Sequence, residues 1–86
     1  MRMHKLFVGN LLFTVTDDIL RYVFEDVGPV HRANIVKDLQ SGLSRGFAFV
    51  EMTTKQDAAE AIARFHGNTC EGRQVVVEEA KPFRAA

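Results

Sequence analysis

Arg45-Gly46-Phe47-Ala48-Phe49-Val50-Glu51-Met52 is the stretch from which the rest of the chain can be read. Its polarity alternates with period two. As a strand it places Arg45, Phe47, Phe49 and Glu51 on one face and Gly46, Ala48, Val50 and Met52 on the other. The second face is apolar and small, suited to packing under helices. The first sets two phenyl rings between a cation and an anion, an unusual surface unless a flat group stacks on it. The competing account is a second core layer, or a subunit contact, covering Phe47 and Phe49.

Upstream, Lys5-Leu6-Phe7-Val8-Gly9 alternates in the same way, with Leu6 and Val8 inward and Lys5 and Phe7 outward. In the loop that follows, Leu11, Phe13 and Val15 are expected to tuck inward. Thr16 then caps a helix whose first turn carries Asp17 and Asp18, favourable against the helix dipole. Leu20, Val23, Phe24 and Val27 form its buried stripe, and Gly28-Pro29 ends it, the glycine expected in the left-handed conformation. A second strand runs from Val30 to Lys37, with Ala33 and Ile35 inward and Asn34 and Val36 outward.

Residues 38–44 are rich in turn formers, so this strand and the octapeptide form a hairpin. Thr54 with Asp57 resembles a capping box, and Ala58, Ala61, Ile62 and Phe65 give the second helix its stripe. His66-Gly67-Asn68 closes that helix. A last strand is expected over Gln74 to Ala80, with Val75 and Val77 inward, Val76 and Glu78 outward, and Pro82 as its stop. The order strand, helix, strand, strand, helix, strand is an α+β plan, the split βαβ or ferredoxin-like sandwich. It has a four-stranded antiparallel sheet with both helices on one face. Right-handed crossovers put the first and third strands side by side at the centre, which brings Phe7 next to Phe49 on the open face.

With 86 residues the chain is expected to be one domain over 1–86, its core at about 4–81 and a short tail at 82–86. Eleven basic and eleven acidic side chains cancel, so overall charge does not announce a nucleic-acid partner. Location matters more. The helices hold Asp17, Asp18, Glu25, Asp26, Asp57 and Glu60 against Arg21, Lys55 and Arg64, which leaves eight bases and five acids for the strands, loops and tails. The sheet side is therefore mildly positive. The single Cys70 allows no internal disulfide and no sulfur pair for zinc, which fits a reducing compartment; it reads as a small buried hydrophobe. No apolar run has transmembrane length and no signal-peptide core is present, so a soluble cytoplasmic protein is expected, an organelle or nucleus also being compatible.

The octapeptide resembles the signature of the RNA-recognition motif at every position but the last, where Met52 stands in place of an aromatic. Leu6-Phe7-Val8-Gly9-Asn10-Leu11 resembles that family's companion hexapeptide, and Gly28, Gly42, Gly67, Gly72 and Ala80 fall at positions usual for it. In flavour the chain is similar to the short single-motif RNA-binding proteins of bacteria and organelles, without the glycine-rich tail many of them carry.

The resemblance implies a single-stranded RNA binder, with single-stranded DNA as a further ligand, no catalysis, no cofactor and no metal, acting as a monomer. Phe7 and Phe49 would each stack a base and Phe47 would press between sugars. Arg45 would pair with a phosphate, its alternative being a salt bridge to a neighbouring acid; Lys5 is a second phosphate candidate. Asn34, Glu78 and Lys81 would read base edges. Met52, on the inward face, is expected to fill core volume, and Leu39 and Leu43 leave their loop with little to offer a phosphate.

Ile19 and Tyr22 fall off the buried stripe and form an apolar spot outside the first helix. The alternative function is thus a protein-interaction module of the same fold using that surface. Phe83 would either cover the sheet or fray. A phosphate-handling hydrolase on the same plan would want an Arg in a cradling loop near an Asn. Arg45 instead begins a strand of aromatics, and His4, His31 and His66 lie in three separate segments.

Overall fold

The computed structural model describes residues 4–70 and 72–80, the side chain of Cys70 excepted. The expectations for Lys81, Pro82, Phe83 and the Cys70 side chain therefore lie outside the described residues. The elements follow in the order β1 (His4–Gly9), α1 (Asp17–Glu25), β2 (Val30–Lys37), β3 (Ser44–Met52), α2 (Lys55–Phe65), β4 (Thr69–Cys70), β5 (Arg73–Gln74) and β6 (Val76–Glu79). β2, β3, β1 and β6 form an antiparallel sheet in that spatial order, while β4 and β5 make a small separate hairpin.

The period-two alternation sorts the sheet into two faces as expected. Leu6, Ala48, Val50 and Met52 are wholly shielded from solvent, and Val8 and Val77 nearly so. Ala33 and Ile35 join them from β2, and Leu20, Phe24, Ala58 and Ala61 close the core from the helices. The Met52 thioether fills core volume where the motif has a ring. Small side chains at Ala58 and Ala61 let α2 sit close to the strands, and Phe24 and Phe65 join the helices with centroids 4.9 Å apart. Among the described residues no buried side chain is polar or charged.

Both helix starts are capped as the sequence suggests. Thr16 Oγ1 accepts from the Ile19 amide at 3.2 Å, and Thr54 Oγ1 from the Asp57 amide at 3.0 Å. Asp17 does more than oppose the dipole: its Oδ1 accepts from the Ile35 amide of β2 at 2.6 Å. One helical turn later, Arg21 donates to the carbonyls of Val30 at 2.9 Å and His31 at 3.4 Å. On the opposite flank of the sheet, the Val77 amide of β6 donates to His66 Nδ1 at 3.1 Å.

Four local expectations are corrected. Phe13 is 74 % exposed, because the Val15 amide bonds back to the Leu12 carbonyl at 3.2 Å and Phe13 occupies the tip of that turn; Leu11 and Val15 do pack inward. Val23 is 40 % exposed, since α1 turns only Leu20 and Phe24 fully into the core. Gly28 is not left-handed. The helix closes with the Val27 and Gly28 amides both reaching the Phe24 carbonyl, and a Cβ at Gly28 would run into the Asp57 carboxylate.

The last strand is the fourth correction. Val75 bonds through both its amide and its carbonyl to the segment after α2, to Asn68 and Gly67 at 2.8 Å each. It is thereby taken out of the ladder, and pairing with β1 begins only at Val76. Gly72, at φ +83°, lies between the two short strands β4 and β5.

The turn between β2 and β3 is organised by Asp38. Its carboxylate accepts from the amides of Ser41 and Gln40, each at 2.9 Å, and these bonds, Ser41 first, hold its pKa below the ordinary carboxylate value. Leu39 and Leu43 are both exposed there. Gly46, at φ +82°, lies beside the register shift between β2 and β3, and its carbonyl accepts from the Leu11 amide at 2.8 Å. Alanine at this position would have to adopt the left-handed conformation inside a strand. Gly46→Ala is therefore expected to lower unfolding stability by roughly 1–2 kcal/mol in urea titrations, with Gly46→Asn less costly than Gly46→Ala.

Candidate nucleic-acid interface

The side of the sheet away from the helices carries the candidate site. Because directly opposed residues of antiparallel strands share a face, the register assembles it row by row. One row runs Asn34, Phe49, Phe7, Glu78 across β2, β3, β1 and β6, and the next runs Arg32, Glu51, Lys5. Phe47 stands two residues from Phe49 on the same face of β3. Nothing in the chain's local sequence brings Phe7 to the other two rings; the β1–β3 ladder does.

The three rings form a near-equilateral cluster. Phe7 lies 5.7 Å from Phe47 and 6.0 Å from Phe49, and Phe47 lies 6.2 Å from Phe49, centroid to centroid. Phe47 and Phe49 meet edge to face at 89°, whereas Phe7 and Phe47 are tilted by 32°. These are favourable aromatic geometries, and all three rings remain partly open to solvent. The second core layer considered for Phe47 and Phe49 is absent among the described residues.

Among the described residues two of the three rings, Phe49 and Phe47, are attended by a cation. Lys5 Nζ lies 4.9 Å from the centre of the Phe49 ring, and the Arg45 guanidinium carbon 6.0 Å from that of Phe47. Among the described residues neither Lys5 nor Arg45 forms an ion pair. The salt bridge considered as the alternative for Arg45 is thus not made there, although Arg45 adds a minor lowering influence at Asp38. Glu51, by contrast, is engaged by Arg32 at 3.9 Å. Asn34 is exposed beside Phe49, and Ile19 and Tyr22, 50 % and 80 % exposed, lie on the helical side and take no part in this cluster.

Two contributors escaped the sequence reading as site residues. Gly9 follows Phe7 on the same face, and a Cβ there would come within 2.7 Å of the Phe7 ring, so the absence of a side chain lets that ring lie across the strand. A glycine inside a strand is itself a signal of such close approach. The second is Arg73, whose guanidinium donates to Asn10 Oδ1 at 3.1 Å while Asn10 Nδ2 donates to the Gln74 carbonyl at 2.8 Å. This pairing places a cation of the small hairpin beside the end of β1, across a separation of 63 positions that no local pattern reveals.

A βαββαβ sandwich whose open face gathers three rings, the cations Lys5 and Arg45 and flanking polar groups defines a module built to hold flat, polyanionic ligands. The chain belongs to the RNA recognition motif family, whose profile matches residues 6–76. It is 42 % identical over 78 residues to the "Putative RNA-binding protein RbpA" of Nostoc, covering 91 % of this chain and 76 % of that protein. It is 42 % identical over 77 residues to "Organelle RRM domain-containing protein 6, chloroplastic" of Arabidopsis thaliana, covering 90 % and 42 %. The match to the 28 kDa chloroplastic ribonucleoprotein of Nicotiana sylvestris spans only 28 % of that protein, so the chain is less than half as long as these chloroplast relatives.

Among solved structures, RNA Binding Protein PG1 superposes with a TM-score of 0.88 at 34 % identity, covering 95 % of this chain and 99 % of that one. The Sex-lethal protein/RNA complex superposes with 0.89 at 31 % identity, covering 96 % and 50 %. The three relatives matched by sequence are chloroplastic or bacterial proteins named as an RRM-domain protein, a ribonucleoprotein and an RNA-binding protein, and none of the three bears an enzyme's name. No helix among the described residues is long and apolar enough to cross a membrane.

The Gly9 contact gives a test independent of any ligand. Gly9→Ala is expected to leave the fold intact and to push the Phe7 ring off the strand. The check is a loss of nuclear Overhauser contacts between the Phe7 and Phe47 rings in the variant, with core methyl contacts unchanged.

Proposed function

We infer that residues 1–86 act as one non-catalytic module that binds single-stranded RNA by stacking bases on the open sheet face. The observation that carries this reading is the cluster of Phe7, Phe47 and Phe49 within 6.2 Å of one another on the face opposite the helices. Phe7 and Phe49 are the base platforms. Their planes differ by 66°, so two successive bases would be splayed and not continuously stacked. Phe47 stands at 89° to Phe49 and serves as a wall against the sugars. Lys5 and Arg45, without an ion pair among the described residues, neutralise phosphates, Lys5 from beside the Phe49 platform and Arg45 from beside the Phe47 wall.

Stacking contributes about 1–3 kcal/mol per base by alanine substitution. Two platforms thus supply a large share of the roughly 8 kcal/mol of a micromolar complex. With about three phosphate contacts on a single strand, log affinity against log salt should fall with a slope near −2. Single-stranded DNA is a second ligand of the same face, because stacking does not distinguish the sugars unless a 2′-hydroxyl is contacted. The names of the chloroplast and cyanobacterial relatives support the RNA assignment. They also support an intracellular site of action, in cytoplasm or organelle, as does the lone cysteine.

Phe7→Ala and Phe49→Ala should each weaken binding of a short RNA roughly 5- to 150-fold, the range set by the stacking energies. Arg45→Ala should do less at moderate salt and flatten the salt slope by about 0.7. Titration of isotope-labelled protein with short random RNA and DNA pools checks all of these. Amide shifts confined to α1 and α2, with the ring variants unchanged, would sink the platform.

A second reading, as a protein-binding module, is favoured by one feature. Ile19, Tyr22 and Val23 are all exposed on α1, and Ile19 and Val23 line a groove together with Val15 and Phe65. Tyr22→Asp should abolish capture of any protein that uses this surface while leaving RNA affinity within about twofold, since it lies across the molecule from the rings. Loss of both together would mean that a single face serves both partners.

A further inference from the structure

We propose that Glu78 makes the Phe7 platform selective for guanine. This inference rests on the stacking reading and adds to it the identity of the base.

Glu78 is the direct cross-strand neighbour of Phe7, is exposed, and shares its face because Val77 beside it points into the core. An anion on a surface that receives a polyanion opposes binding, so its position needs a compensating contact. The other carboxylate of this face is already engaged, Glu51 with Arg32 at 3.9 Å and directly across from Lys5. Among the described residues Glu78 has no ion-pair partner.

Neighbouring strands lie about 4.8 Å apart, so a base stacked on Phe7 presents its edge to the side chain on β6. A carboxylate accepts hydrogen bonds and donates none. Guanine alone among the four RNA bases offers two adjacent donors on its Watson–Crick edge, N1–H and the 2-amino group, spaced to meet both carboxylate oxygens. Uracil offers one donor flanked by two carbonyls that the carboxylate would repel, and adenine and cytosine offer one amino group beside an unprotonated ring nitrogen. The opposite end of the same row is different in kind: Asn34, beside Phe49, both donates and accepts and so discriminates less. A bidentate, charge-assisted pair of this type discriminates by roughly 5- to 150-fold against a base that cannot form it.

The test measures affinity for a uridine heptamer carrying one central guanosine, and for the same oligomer with inosine, adenosine or uridine there. Inosine keeps N1–H and lacks the 2-amino group. The wild-type protein should prefer guanosine over inosine by at least about fivefold, and Glu78→Gln should bring that ratio to within about twofold of one. Phe7→Ala should weaken every oligomer.

If wild type binds all four alike while Phe7→Ala still weakens them, guanine selectivity is overturned and the platform stands. If Glu78→Gln tightens every oligomer by the same factor and preserves the ratio, the carboxylate acts only through its field and the proposal fails. Indifference to Phe7→Ala would instead overturn the platform reading itself.

Discussion

The pairing of β1 with β3 is the constraint on which the molecule depends. In one register it sets Leu6 against Val50 and Val8 against Ala48 on the inner face, and Phe7 against Phe49 on the outer. Because the side-chain period is two, a slip of one residue would exchange the faces, exposing the former and burying the rings. Each fully buried Leu or Val contributes about 1.5–3 kcal/mol, so several such residues on one face outweigh any contact the outer face makes. The core thus dictates where the rings go. The ring cluster is a by-product of an alignment enforced from the other side of the sheet.

That cluster is held ready without being left bare. Lys5 lies over Phe49 and Arg45 near Phe47, so each cation is held at the face of a ring. Glu51 is paired away by Arg32, and Gly9 provides the gap that the Phe7 ring occupies. A neutral overall charge is no obstacle to this arrangement. The excess acids sit on the helices, and Lys5 and Arg45 sit beside rings of the open face.

The fold was legible because its signals are periodic and local: alternation in Leu6-Phe7-Val8 and Phe47-Ala48-Phe49-Val50, and Thr16 and Thr54 as caps. What failed was decided by particular hydrogen bonds and contacts that polarity patterns do not encode. Phe13 points outward because a turn closed between Leu12 and Val15 holds it there, and Gly28 is small because Asp57 of the other helix lies against it. Val75 is drawn out of the last strand by Asn68 and Gly67, which hydrophobic alternation cannot foresee. At the site, the rings were readable from their face and their motif. The Asn10–Arg73 link was not, because it joins the loop after β1 to the short strand β5, whose proximity exists only after folding.

Asp17, Arg21 and His66 carry a consequence for how this sheet meets other polypeptides. Backbone groups on both outermost strands, the amides of Ile35 and Val77 and the carbonyls of Val30 and His31, are occupied by helix and helix-end side chains. A foreign segment seeking to extend the sheet by strand addition would have to break those bonds before forming its own. The protein can therefore present a broad, partly apolar sheet face without inviting ribbon-like growth from its rims.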